Sequence, residues 1–407
     1  MSPIDLRIRT VPSIAEIAAT GWDACANPAS SEGLDAPMAS SAQEDACHPL
    51  ISHAFLHALE TSGSATTRAG WRPQHLVAET NSGTMLGAVP CYLKSHSRGE
   101  YVFDQGWADA YERVGGRYYP KLQVAIPFAP VTGRRLLVRP GPAAAQIRRA
   151  LASALIELCG LLEASSAHVT FATETECRLL GEQGFLQRTD QQFHWQNAGY
   201  GCFEDFLSAL AARKRKAIRR ERRDALAAGI EVQWLTGADL TEAVWDAFFA
   251  FYMETGSRKW GRPYLTRKFY SLIGSAMADR TLLIMAKRAG RFIAGAINFI
   301  GADTLYGRHW GAIEHHPFLH FELCYYQAIE FAIARRLRRV EAGAQGEHKL
   351  ARGYLPTTTH SAHYIADKGL RRAVAEYLQR ERDYVAAVGR ELSDAAPFRK
   401  NLTIDPA

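Results

Sequence analysis

Residues 282–310 read LLIMAKRAGRFIAGAINFIGADTLYGRHW. The run 282–287 is apolar, Ala289-Gly290 is a turn signal and 292–300 is a second apolar run, so the two form a hairpin. Residues 304–310 add a third strand. Apolar side chains then recur at helical spacing over 318–337, and 339–342 is a short strand. Hairpin, third strand, long helix and further strand make an α/β (α+β) domain on a mixed sheet. Around this core lie a strand at 230–235, helices within 241–277 with a break near 256–263, a strand at 357–365 and a helix at 373–392.

The first half has the same grammar. A strand at 6–11 and a helix at 14–25 lead into 27–47, a stretch rich in Ser, Ala, Pro and Asp that reads as a loop. A helix opens at Pro49. Runs 74–79 and 85–93 form a hairpin across Asn81-Ser82-Gly83. A helix at 107–114, a strand at 135–138, a long helix at 145–162, a strand at 168–173, a helix at 174–183 and a strand at 193–196 complete the half. Two such units imply two tandem domains, 1–197 and 198–407, duplicated in architecture but not in residues.

Four segments concentrate chemistry. Lys94 to Asp104 holds His96 and Glu100. Tyr118-Tyr119-Pro120-Lys121-Leu122 runs on to Pro127 through Leu137. A basic helix over 203–228 follows, and the last segment is Glu341-Ala-Gly-Ala-Gln-Gly-Glu347-His348-Lys349-Leu-Ala-Arg352-Gly-Tyr354-Leu-Pro356. In this order they resemble the FemAB-like family of N-acyltransferases, over nearly the whole chain from about Trp22 to Tyr377. The resemblance implies two tandem acetyltransferase-like (GNAT-like) domains and transfer of an activated acyl or aminoacyl group to an amine. It implies an acceptor between the halves, where Lys94, His96, Glu100, Asp104 and Lys121 would bind it. Those residues equally suit a structural network between the domains.

Amide formation needs a base for the amine proton and a cation or N–H donors for the oxyanion. In the last segment a turn with two glycines is followed by four ionisable groups. His348 or Glu347 would be the base, Lys349 or Arg352 the stabiliser, and Tyr354 a substrate contact. A polar turn whose charges pair with each other is the plain alternative. On the third strand, alternation puts Tyr306, Arg308 and Trp310 on one face and His309, a further substrate-binding candidate, on the other. His315, His316 and His320 are interrupted by Pro317 and have no acidic complement, which reads against a metal site.

Charge narrows the choice of donor. The net charge is +6, yet residues 213–223 alone carry +7, from Arg213, Lys214, Arg215, Lys216, Arg219, Arg220, Arg222 and Arg223 against Glu221. Such a segment suits a phosphate backbone or an anionic acceptor, or is a solvated helix. Fem-type ligases take aminoacyl-tRNA and carry a similarly basic helix here, although this chain has no room for their helical arm. Acyl-CoA is the other donor. The places for its pyrophosphate read Arg139-Pro140-Gly141-Pro142-Ala143, where Pro142 removes an amide, and Glu314 to His320, without glycine. A third reading is a non-catalytic RNA- or cell-wall-precursor-binding protein on this fold. No signal sequence, no membrane-spanning run and seven scattered cysteines lead to the expectation of a cytoplasmic chain without integral membrane contact.

Overall fold

A computed structural model describes residues 6–28, 47–260, 263–344 and 346–399, without the side chains of 258–260. Most of the loop expected at 27–47, and Gln345, lie outside the described residues. The strands are β1 (Leu6–Val11), β2 (Trp71–Pro73), β3 (His75–Thr80), β4 (Met85–Val89), β5 (Cys91–Lys94), β6 (Lys121–Val124), β7 (Leu137–Val138), β8 (Ser166–Ala172), β9 (Leu186–Gln196), β10 (Ile230–Leu235), β11 (Thr281–Arg288), β12 (Arg291–Ile300), β13 (Thr304–Ala312), β14 (Arg339–Glu341) and β15 (Leu355–Ile365). The helices are α1 (Ala19–Ala26), α2 (His53–Thr61), α3 (Gln105–Arg113), α4 (Ala144–Leu161), α5 (Glu174–Glu182), α6 (Phe203–Ala209), α7 (Ala212–Leu226), α8 (Glu242–Trp260), α9 (Arg267–Ala276), α10 (Leu319–Phe321), α11 (Gln327–Ala334) and α12 (Lys368–Asp394).

One compact unit comprises Met1–Asp190 and Thr358–Ala386. It holds an antiparallel sheet in the order β1-β3-β4-β7 and a mixed run β15-β8-β6-β5-β2, in which β6 and β8 are parallel. Pro90 has no N–H to continue a ladder, so the single strand expected over 85–93 becomes two, β4 in one sheet and β5 in the other. Ile147, Leu151, Leu155 and Leu158 form one face of α4 and pack on Leu122, Val124 and Val169. Gly87 lets α4 approach β4, since a Cβ there would lie 3.1 Å from Ile147 and Leu151.

The other unit comprises Gln191–Thr357 and Ala387–Ala407. Its sheet runs β10-β11-β12-β13-β14-β9, antiparallel except for the parallel pair β13–β14. The helix expected at 318–337 links that pair, as α4 lies in sequence between β6 and β8. Its middle, Glu322–Tyr326, is π-helical. The basic helix expected over 203–228 is two helices, because the backbone at 209–211 bonds the chain end instead: Ala211 N–H donates to Pro397 O and Arg399 N–H to Ala209 O.

The units differ from a single cut between 197 and 198. β9, from the end of the first half, supplies His194 to Gln196 as the partner of β14. β15, from the second half, pairs with β8, and Leu370, Val374 and Leu378 of α12 pack on Trp107 and Tyr118. Each unit therefore completes its sheet with a strand drawn from the other half of the sequence. The architecture is a mixed α/β, tandem acetyltransferase-like fold.

Candidate active site

After β14 the chain enters a turn in which Gly343 and Gly346 take φ of 78° and 116°, values that a side chain would oppose. A 3₁₀ helix, Glu347–Arg352, follows. Lys349 points inward, 2% exposed, and its ammonium donates to Gly343 O at 2.8 Å. Among the described residues it has no carboxylate partner. Burial lowers its pKa to about 8, and the positive charge of Arg308 acts in the same direction.

His348 is exposed, with Nε2 2.9 Å from Tyr325 OH. Burial of part of its ring, with Arg352 and Lys349 nearby, depresses its pKa, so the ring is neutral at neutral pH. Glu347 is exposed and joins none of these contacts. Arg352 is buried and donates to His348 O at 2.7 Å and to both Glu221 oxygens at 2.9 and 3.0 Å, with its guanidinium 3.5 Å over the Phe321 ring. Tyr326 OH also donates to Glu221. Arg352 thus holds the turn against α7 and the π-helical segment. Tyr354 is fully buried, donating to Tyr325 O at 3.3 Å.

On β13 a bulge sets two residues against one of β12, since Asn298 pairs with Gly307 but Ala296 with Trp310. The simple alternation therefore slips. Trp310 shares the helix-facing core with Leu305 and Ala312, and does not share a face with Tyr306. His309 lies against Tyr252 of α8, ring centroids 5.1 Å apart, and burial, with Arg308 beside it, lowers its pKa to about 3. Gly311 is the close approach of α8 to this strand, for a Cβ there would meet Phe251 O at 2.1 Å. His316 bonds Glu314 at 2.9 Å and His320 lies against Trp310. Among the described residues no three His, Cys, Asp or Glu side chains gather as a metal site.

The first-half candidates converge in one buried network. Lys121 donates to Glu100 Oε2 at 2.7 Å, to Asp104 Oδ2 at 2.5 Å and to Ser97 Oγ at 2.7 Å. Lys94 lies 3.5 Å from Glu100 Oε1, with its ammonium 3.6 Å over the Trp71 ring. Burial lowers the pKa of Lys94 to about 7. Burial opposes ionisation of Asp104, but Lys121 holds its carboxyl well below the usual range. Tyr118 OH donates to Asp104 at 2.7 Å, and the His168 and His363 Nδ1 atoms are 2.7 Å apart. His96 is half-buried: its Nδ1 accepts from Arg98 N–H and its Nε2–H donates to Ala69 O. These two histidines, on strands 195 residues apart in sequence, were invisible to spacing.

The basic helix is partly neutralised. Arg222 pairs with Glu322 at 2.9 Å and Glu330 at 2.7 Å, Arg219 with Glu204, and Arg223 with Asp224 at 2.8 Å. Arg213, Lys214, Arg215, Lys216 and Arg220 have no acidic partner among the described residues. Ile218 and Ala225 are the buried side of α7. Tyr325 and Phe321, which orient the turn, escaped notice in the sequence, and Glu221 was noted only as the one acid in a run of cations.

A comparison with curated proteins finds no match. Among solved structures, a conserved protein from Bacteroides thetaiotaomicron superposes with a TM-score of 0.50 at 13% identity, covering 89% of this chain and 100% of that one. FemX gives 0.49 at 11% identity over 78% and 93% of the two chains. A tandem GNAT protein from the clavulanic acid biosynthesis pathway gives 0.45 at 13% over 89% and 99%. The FemAB-like profile, described as peptidoglycan biosynthesis/recognition, matches residues 13–400. The chain belongs to the FemAB-like family.

Proposed function

We propose that this protein forms an amide by transferring an activated acyl or aminoacyl group to an amine at the turn 343–352. The observation that carries the reading is Lys349, a buried ammonium whose only hydrogen-bond partner among the described residues is a backbone carbonyl. A buried cation without a counter-charge is unfavourable, and an oxyanion arriving at that place would relieve it. His348, neutral and held by Tyr325, is the base for the amine proton. Arg352 positions both by gripping the backbone between them and Glu221.

The donor that α7 favours is aminoacyl-tRNA, through the five cations left without acidic partners. Acyl-CoA is the second donor. Substrate binding by Lys94, Glu100, Asp104 and Lys121 would require opening the buried ion pairs they already make with one another. All seven cysteines are unbridged, and no described helix is long and apolar enough to cross a membrane.

The test incubates the protein with acetyl-CoA or with charged tRNA and candidate amines, and detects amide products by mass spectrometry. Lys349→Met and His348→Ala should each lower product formation at least 100-fold while the thermal unfolding midpoint stays put. Full activity in both variants would overturn the roles given to Lys349 and His348, and no amide product from either donor would leave the binding-protein reading, in which RNA affinity depends on α7 and ignores the turn.

A further inference from the structure

In the second unit the end of β13, the loop 313–318 and α10 enclose a cleft of about 440 Å³. Trp310, Ile313, Phe318, Leu319 and Phe321 make an apolar and aromatic lining. Thr255, Glu314 and three histidines form its polar edge, and among the described residues no lysine or arginine reaches it. Among the described residues Glu314 is its one acid. The hydrogen bonds from Arg288 and His316 hold the Glu314 pKa down to about 2, so it stays ionised.

Three further observations bear on what enters. Phe318 sits at φ 61°, where a bulky residue is rare, and strain of this kind persists where a site requires it. The π-helical turn Glu322–Tyr326 begins directly after Phe321, and such turns concentrate at functional sites. Phe321 also carries Arg352 over its ring and has its centroid 5.6 Å from that of His348. The wall of the cleft is therefore the support of the turn assigned to transfer.

We infer that this cleft holds the apolar group attached to the carbonyl being transferred, either an aliphatic acyl chain or an apolar amino-acid side chain. It is not a pyrophosphate cradle. A polyphosphate here would face an ionised carboxylate that already holds Arg288 and would find no glycine loop, whereas an apolar group gains from leaving water. The inference rests on the transfer reading for its meaning, but it is tested by binding alone.

Titration of the protein with the N-methylamides of acetic, butanoic, hexanoic and octanoic acids, of N-acetylphenylalanine, and with sodium pyrophosphate is followed by tryptophan fluorescence and calorimetry. Affinity should rise roughly fourfold per added methylene until the cleft is full. A plateau at the octanoyl compound with poor binding of the phenylalanine derivative identifies an acyl chain; the reverse identifies an amino-acid side chain. Ile313 is 46% exposed, so Ile313→Asp leaves the core intact and should weaken the preferred amide at least tenfold. No binding, affinity independent of chain length, or tighter binding of pyrophosphate overturns the inference. These affinities are read without turnover, so failure of the transfer chemistry and failure of the cleft assignment give different results.

Discussion

At the scale of single residues, Lys349 and His348 are opposed in what they need from pH. In the proposed transfer Lys349 would stabilise an oxyanion only while protonated, and with a pKa of about 8 it loses that proton just above neutrality. His348 would serve as a base only while neutral, and its pKa lies below the usual histidine value. The turnover rate should therefore rise through the acid range, level near pH 7 and fall above about pH 8. Lys349→Arg, if active, should remove the alkaline fall, and a pH–rate profile reads both limbs. Arg352 is different, being a support. Arg352→Ala strands Glu221, whose side chain is 14% exposed, and should cost about 3 kcal/mol in urea-unfolding stability. The four charged candidates of this turn could be found from the sequence because they are crowded into six positions, but their roles could not. Which ammonium turns inward depends on backbone dihedrals at Gly343 and Gly346, and Glu347, equally plausible on paper, turns outward.

Among the elements, α7 shows how composition and pairing part company. Eight cations lie between 213 and 223, yet those toward its C-terminal end meet Glu322, Glu330 and Asp224 and are neutralised. The exposed remainder lies near its start. Changing Arg213, Arg215, Lys216 and Arg220 together to Gln should weaken RNA binding and remove roughly 3 from the slope of log affinity against log salt. Helix content by circular dichroism should persist, because Ile218 and Ala225 still anchor the buried face. Most strands and helices were legible from apolar period and turn residues. The misses share a cause: β2 and β6 are too short to show a period, the break between α6 and α7 is imposed by the remote segment 397–399, and the bulge in β13 is visible only in its pairing with β12.

For the whole molecule, the buried histidines set an acid limit. His168 is driven to about 3 by burial, with Lys121 adding to the effect, and His309 to a similar value. Both depressed values lie below that of an unfolded histidine near 6.5. Their contribution to stability is complete above pH 6.5 and is lost progressively as pH falls toward 3, because the unfolded chain takes up the protons first. Urea midpoints at pH 7 and pH 4.5 should differ, and His168→Asn should narrow the gap. A fold class and a doubling were readable from the order of elements. The exchange of β9 and β15 was not, since a strand's sequence states its length and faces but not its neighbour.

That exchange governs how the protein can come into being. Fragments 1–197 and 198–407 should each lack a cooperative unfolding transition by calorimetry, and mixing them should restore one. On the ribosome, β8 waits for β15 until residues 355–365 have emerged, so the unit that begins first closes late. Until then its exposed sheet edge is an opening for chaperones or for aggregation.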